Sequence, residues 1–574
     1  MAGFILVCPR DPASSRFDAE ALRRCALHVS PDGIDAHAPH VLHEDGVLRA
    51  VINPVAGIRA DDHGVCLGAI VDDDDWSTPL TPAPGGSFAI ARHDARSVEL
   101  VADILASRTI WYAFTEDFFL ASTSQRALAF LLGDFQSEAE TVAWMISSGY
   151  LGPEMGWDTR VRRVPVGTSL RLDRETWQLS TERRRIDYRP ASLSTDEHVA
   201  RLQEAVFRAC RELDLSGTSW LLPLSGGHDS RGLLVGLMQA GERPTCVTWG
   251  LAASLSQPGN DAYVARQLTT HFGLEHQYCE LDQTSEPMHD ALTRFLLAGE
   301  GRAVDLSGYT DGMRMWEQFF AAGVTTMIRG DTPGVGSGQG RAYDPVNDFF
   351  VRTAIGRAVM ADDFPDGHLV RRLGLAAQHF PSSLRRRSGE ELGDYRDRIH
   401  NEYKVATMFA ALNDPKCAYV EVVNPLLHPA VVKAVAELPP ELRLWERGYA
   451  TMVERLVPEI PIYKYHAEAQ PSEYLAWPAM FEELLAELSS SQDDDVLPPG
   501  ARALLVKELR KPVPSTAAKT SLRRRVKAVM PARIQRLVPS RVLASTRMVA
   551  MRAYTASRMA TILRDDALKG RTPA

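Results

Sequence analysis

The feature that most constrains this chain is a short break between two apolar runs. Trp220, Leu221, Leu222 and Pro223 read as a buried strand, and residues 232–238 (GLLVGLM) read as a helix packed on it. Between them stand Leu224, Ser225, Gly226, Gly227, His228, Asp229 and Ser230. A strand, a glycine-rich turn and a helix start make an anion site. Glycines let the backbone curl and approach a ligand closely, and a helix N-terminus presents free N–H groups. Ser225 and Ser230 add hydroxyl donors, and Asp229 supplies a carboxylate that could hold a cation beside a bound anion. The chain has neither GxxxxGK(S/T) nor HExxH, which excludes a Walker-type loop and that zinc protease pattern.

The surroundings of this break alternate. Ser194 and Glu197 form a capping-box signal that opens a helix to about residue 213. SWLLPLS, TCVTWG and TTMIRG then read as strands with helices between them, the pattern of a parallel sheet with helices on both faces. The first 190 residues read instead as short strands separated by turns: GGSFAIARHD, SVELVADI, IWYAF, FFLAST and TSLRLD. MAGFILVCPRDP lacks a basic start and reads as a first strand rather than a signal peptide. Asp72, Asp73, Asp74 and Asp75 read as a solvated turn, and residues 341–400 as an insertion carrying Arg385, Arg386 and Arg387.

At 574 residues more than one domain is expected, and no apolar run reaches the ~18–20 residues of a membrane span. Seven cysteines without a CxxC pair give no disulfide framework or zinc knuckle, which fits the cytoplasm. The net charge of −9 is unevenly spread. From residue 501 onward 18 Lys and Arg stand against 3 Asp and Glu, leaving −24 on the first 500 residues. A basic tail of this kind can hold nucleic acid, an acidic peptide or a membrane surface. We read it rather as helices packed on the acidic body with a solvated basic face, and expect no nucleic-acid partner.

The stretch 225–230 follows SGGxDS and resembles the PP-loop of ATP pyrophosphatases. The N-terminal half resembles the class II glutamine amidotransferase domain. Gly86, Ser87, Phe88 and Ala89, then Asp103, then WYAFTEDFFLASTSQRALAFLL carry that likeness, and RVPVGTSLRLD (163–173) resembles the domain's close. After the PP-loop, PTCVTWG (244–250) stands where the family cups adenine, and IRGDTPGVG (328–336) where it has a second pyrophosphate loop. EVVNPLLHPAVVKAVAELP (421–439) and LVPEIPIYKYH (456–466) are similar to two later segments. In this order the motifs resemble the asparagine synthetase family over roughly residues 1–475.

The resemblance implies an α/β multidomain chain. Residues 1–190 would be a degenerate Ntn-hydrolase-like αββα sandwich, residues 191–490 a PP-loop synthetase domain with a parallel α/β sheet, and residues 491–574 a basic helical tail. It implies ATP and Mg2+ as cofactors. Leu224, Ser225, Gly226, Gly227, Asp229, Ser230, Thr248 and Gly330 would bind nucleotide, and Asp229 and Asp331 would hold metal. Asp331, Glu421, Lys464 and His466 would be catalytic, with Lys464 and His466 alternatives for one cation.

Two departures shape the expected activity. The family's glutaminase uses a cysteine exposed as the second residue; here that place holds Ala2, and Cys8 reads as a buried strand residue. Glutaminase activity is therefore not expected. The second loop is also irregular, with Gly334 where the family has a second metal-binding Asp. The expectation is an AMP-forming carbon–nitrogen ligase, favouring macrolactam closure of a lasso-type peptide, with a leader-binding protein and a leader peptidase as partners. The alternatives are a small-molecule ligase resembling asparagine synthetase or β-lactam synthetase, and a non-catalytic nucleotide-binding protein.

Overall fold

The computed structural model describes residues 3–14, 16–54, 58–71, 75–331, 358–444, 446–490, 496–511 and 544–571. Asp72, Asp73, Asp74, the last part of the second loop, the first part of the 341–400 insertion and residues 512–543 of the basic tail lie outside them.

Twelve strands of the N-terminal half form two antiparallel sheets. They are β1 (Gly3–Pro9), β2 (His40–Glu44), β3 (Val47–Ile52), β4 (Arg59–Ala60), β5 (Gly64–Val71), β6 (Gly85–His93), β7 (Ser97–Ala102), β8 (Trp111–Phe114), β9 (Phe118–Ser122), β10 (Val161–Arg163), β11 (Thr168–Asp173) and β12 (Gln178–Arg183). The first sheet runs β10-β8-β9-β1-β3-β2 and the second β12-β11-β7-β6-β5-β4. Period-two alternation splits β1 between two cores: Phe4, Leu6 and Cys8 meet Val65, Leu67, Ala89 and Ala91 of the second sheet, while Ile5 and Val7 face outward. Helices α1 (Ala19–His28), α2 (Gln125–Leu132) and α3 (Ala139–Ser148) cover that outward side. The outer face of the second sheet packs instead under Trp76 and Ala83 and against the turn Pro425–Leu427 of the other half. Among the described residues the expected four layers are thus three, because the C-terminal half occupies the place of the fourth.

Ser194 caps α4 (Thr195–Arg211) through the full capping box with Glu197. Beyond it lie β13 (Trp220–Pro223), α5 (His228–Gln239), β14 (Cys246–Gly250), α6 (Asp261–Phe272), β15 (His276–Glu280), β16 (Thr326–Ile328) and β17 (Glu421–Val423). These strands form one sheet in the order β15-β14-β13-β16-β17, and every pairing in it is parallel. Neighbouring residues point to opposite faces. Leu222, Cys246 and Ile328 join the core under α4 and α5, while Leu221, Val247 and Met327 join the core under Met288–Gly299 and Arg314–Ala321. β17 is reached through a helix that begins at Leu392, widens into a π-helical stretch at His400–Phe409 and ends at Cys417.

The C-terminal segment is not a separate unit. Helix Thr546–Arg571 buries Val549, Tyr554, Met559 and Leu563 in the same core as α2 and α3. Asp566 on it is almost fully buried and pairs with Arg126 of α2 (3.0 Å) and His28 of α1 (2.6 Å). Gly570 lies so near Phe130 that a Cβ would stand 1.9 Å from the Phe130 carbonyl oxygen. The expected packing of the tail on the body is seen for this helix, although it is mostly buried rather than half solvated.

Candidate active site

The strand order places β13 beside β16, and the connections from these two strands leave in opposite directions. An open parallel sheet has its crevice at such a point, beyond the C-terminal ends of the strands. Both sequence-predicted loops leave from there.

After β13 the chain enters α5 through a turn locked by its own serines. Ser225 N donates to Ser230 Oγ (3.0 Å), the two hydroxyls are 2.9 Å apart, and Ser230 Oγ donates to the Ser225 carbonyl (3.2 Å). Gly227 caps α5 without a side-chain bond, so the first-turn amides have no side-chain cap. Neither glycine uses the left-handed freedom expected of it. Gly226 is required by contact: a Cβ there would stand 2.8 Å from Val264 Cβ and 2.9 Å from Tyr463 Cβ. Its N–H donates to the Asp261 carboxylate. Arg231, directly after the turn, does not meet solvent. It is buried and donates to the carbonyls of Gly226 (3.2 Å), Pro461 (3.1 Å) and Ile460, fastening the turn to the later segment.

After β16 come Arg329, Gly330 and Asp331; residues 332–336, including Gly334, lie outside the described residues. A Cβ on Gly330 would come within 2.9 Å of Leu426 Cδ1 and 3.0 Å of Leu233 Cδ1. Arg329 Nε lies 3.6 Å from Asp331 Oδ2, and Asn424 Nδ2 donates to the Asp331 carbonyl (2.8 Å).

The two turns border a cavity of about 220 Å3 that brings together Leu224, Ser225, Asp229, Ser230, Thr248, Gly330 and Asp331. Thr248 reaches it from β14, its hydroxyl donating to the Leu224 carbonyl (2.6 Å). Asp229 Oδ1 is buried and has no hydrogen-bond partner. Burial, and then the nearby carboxylates of Glu446 and Asp331, push the Asp229 carboxyl well above its ordinary range, while Arg329 opposes them. A buried carboxylate in that state fits a cation, since a bound divalent ion supplies the charge that the fold does not.

Three expected catalytic residues are not gathered here. Glu421 is buried on β17 and pairs across the two halves with Arg108 (3.1 Å), bordering a separate cavity beside Ser87. Lys464 and His466 are exposed and border neither loop's cavity. Lys464 N donates to the Gly259 carbonyl (2.8 Å), and the His466 ring packs 5.4 Å from that of Tyr463. Among the described residues the cation in the cavity wall is Arg329. Behind it sits Lys416, which burial pushes down to about 7 and which donates to the Leu412 carbonyl (2.7 Å). Glu468 also borders the cavity and accepts from Trp249 Nε1 (2.6 Å); burial raises its carboxyl. Sequence reasoning missed these three. Neither Lys416, which follows Asn413, Asp414 and Pro415, nor Glu468 carries a local signal for this role. Glu446, whose carboxyl burial pushes up to about 7, acts on Asp229 from a left-handed backbone position, φ 55°.

Cys8 stands on β1 opposite Phe119, fully buried, and burial pushes its thiol up to about 11.

Comparison with known proteins finds no matching family model and no matching curated protein. Among solved structures the chain is similar to one described as the allosteric regulatory enzyme of purine biosynthesis. The identity is 9%, over 48% of this chain and 80% of that one, with a TM-score of 0.20. It is also similar to a glutamine phosphoribosylpyrophosphate amidotransferase from B. subtilis complexed with ADP and GMP, at 9% identity over 62% of this chain and 89% of that one, with a TM-score of 0.19. Likeness at that level carries no argument about this chain. Among the described residues no helix is long and apolar enough to cross a membrane.

Proposed function

We propose that this chain is an ATP- and Mg2+-dependent ligase of the asparagine synthetase type, joining a carboxylate to an amine through an acyl-AMP. The observation that carries the reading is the pair of turns at the sheet's crossover point, with the unpartnered Asp229 oxygen between them. In this reading the first-turn amides of α5 and the hydroxyls of Ser225 and Ser230 receive the pyrophosphate of ATP. Asp229 and Asp331 hold the Mg2+, which when bound offsets phosphate charge. The substrate carboxylate displaces pyrophosphate from the α-phosphorus. An amine then forms the C–N bond, AMP leaves with the C–O bonding pair, and the amine's proton passes to a base. Arg329 supplies the fixed positive charge beside the reacting carbonyl that had been expected from Lys464 or His466.

For the acceptor we favour an amine already on the substrate, hence macrolactam closure of a peptide. The burial of Cys8 supports treating the N-terminal half as a scaffold rather than a source of ammonia. ATP–pyrophosphate exchange with Mg2+, run against pools of amino acids and candidate core peptides, tests the reading. We expect exchange stimulated by one carboxylate and lost in Asp229→Ala. A protein that binds no ATP would overturn it.

A further inference from the structure

The seam between the two halves carries a second cavity, of about 410 Å3, that shares no residue with the cavity at Asp229. Its walls are apolar: Pro84, Ile104 and Ile186 from the N-terminal side, and Leu427, Pro429 and Val432 from the C-terminal side. The halves close on each other at its edge, where a Cβ on Gly85 would stand 2.2 Å from Pro429 Cγ. Its charged rim is mostly basic, with Arg184, Arg185 and Lys433 against Asp187.

The rim's charges are unequally matched. Asp187 is taken by Arg189 (2.6 Å), and Arg185 lies 3.9 Å from Glu402. Arg184 donates to two carbonyls, Ala102 (2.8 Å) and Pro84 (3.5 Å), and its Nε is buried with no hydrogen-bond partner. Among the described residues no carboxylate lies within ion-pair reach of Arg184 or of Lys433. Burial lowers the pKa of Arg184, and the charges of Asp103 and Glu182 oppose this without coming within ion-pair distance. An apolar cleft of this size, open to solvent and with a few converging polar groups, has the composition of a small-molecule site.

We propose that this seam cavity binds a small amphipathic carboxylate, its apolar body between Ile186 and Val432 and its carboxylate on Arg184 and Lys433. The carboxylate would face the two basic side chains that border the cavity, Arg184 and the exposed Lys433. The ligand touches both halves, so its occupancy bears on how they are held together.

The experiment uses the full chain, 8-anilino-1-naphthalenesulfonate as fluorescent reporter and decanoate as ligand. The reporter has the same chemistry, an apolar body with one anionic group. We expect saturable reporter fluorescence that decanoate displaces and decylamine does not. Val432→Trp, which fills the cavity, should abolish the displaceable signal. Lys433→Glu, at an exposed position, should weaken decanoate by roughly tenfold, the worth of one charge-assisted contact, without moving the melting temperature. Absence of a saturable signal, equal displacement by decylamine, or wild-type affinity in both variants would overturn the proposal. None of these outcomes depends on ATP–pyrophosphate exchange.

Discussion

The two halves of this molecule are built from the same material and use it in opposite ways. In the N-terminal half both sheets are antiparallel, their facing sides are buried in one core, and the cysteine nearest the chain start is locked inside β1. In the C-terminal half the sheet is parallel, every strand end points the same way, and two turns leave polar groups unsatisfied at one edge. An antiparallel sandwich returns its chain by tight hairpins and has no common edge where backbone donors collect. A parallel sheet with helices on both faces has one by construction. On the proposed reading chemistry belongs to the second half and support to the first, a division that can be broken residue by residue.

The largest effect is expected at Asp229. Replacing it with Ala should reduce ATP–pyrophosphate exchange at least about a hundredfold, the scale of losing one group that stabilises developing charge. The same position tests the fold in the other direction. Its folded pKa is raised by burial, so the native state holds a proton that the unfolded chain releases above its ordinary Asp range. Stability from this group is then lost as pH rises toward the folded value. Without Mg2+ and nucleotide, Asp229→Asn should melt higher than the wild type at pH 8, with a smaller gap at pH 4. A variant that melts lower at both values would show that Asp229 is a structural carboxylate.

Much of the second half was legible from sequence because its signals are local. The capping box at Ser194 and Glu197, the strand Trp220–Pro223 and the turn after it each lie within a few residues of the groups that define them. The serines that lock the turn are five residues apart. What the sequence did not disclose is set by distant partners. The need for Gly226 comes from Val264 and Tyr463, the place of Glu421 from Arg108, and the exposure of Lys464 and His466 from a segment that runs past the cavity's rim. A pattern read along one chain gives residue types in order; it does not show which side of a strand end a cation forty residues beyond it will reach.

The next effect is expected where the two halves share a buried charge. Asp566→Ala removes the partner of Arg126 and His28 and leaves a buried guanidinium unmatched. That should cost about 3–5 kcal/mol, measured as a fall in unfolding free energy in urea. If the loss is confined to one transition while a second is unchanged, the halves unfold separately and the helix belongs to one of them.

Lys416 gives a smaller effect, opposite in sign to that of Asp229. Burial lowers its folded pKa to about 7, so between that value and the ordinary Lys range the unfolded chain binds more protons than the folded one. The stability contributed by this group rises with pH across that window. Lys416→Met should be relatively most stabilising below about pH 7 and lose that advantage progressively as pH rises toward the ordinary Lys range near pH 10, read as the difference between the two proteins in denaturant unfolding. The smallest effect is expected in the scaffold. Cys8→Ala removes one buried thiol and should cost roughly 1 kcal/mol of stability with no change in pyrophosphate exchange. Loss of exchange there would contradict the division of labour outright.

The position of helix Thr546–Arg571 also bears on how the molecule is made. Proteins emerge from the ribosome N-terminus first, and this helix follows every strand of all three sheets. The apolar faces it covers on α2 and α3 belong to residues made some four hundred positions earlier. For most of synthesis those faces have no partner, and the chain carries them through a crowded interior while the rest is translated. A nascent chain halted before residue 546 should therefore be a strong client for holding chaperones, and one extended past residue 571 should be released from them.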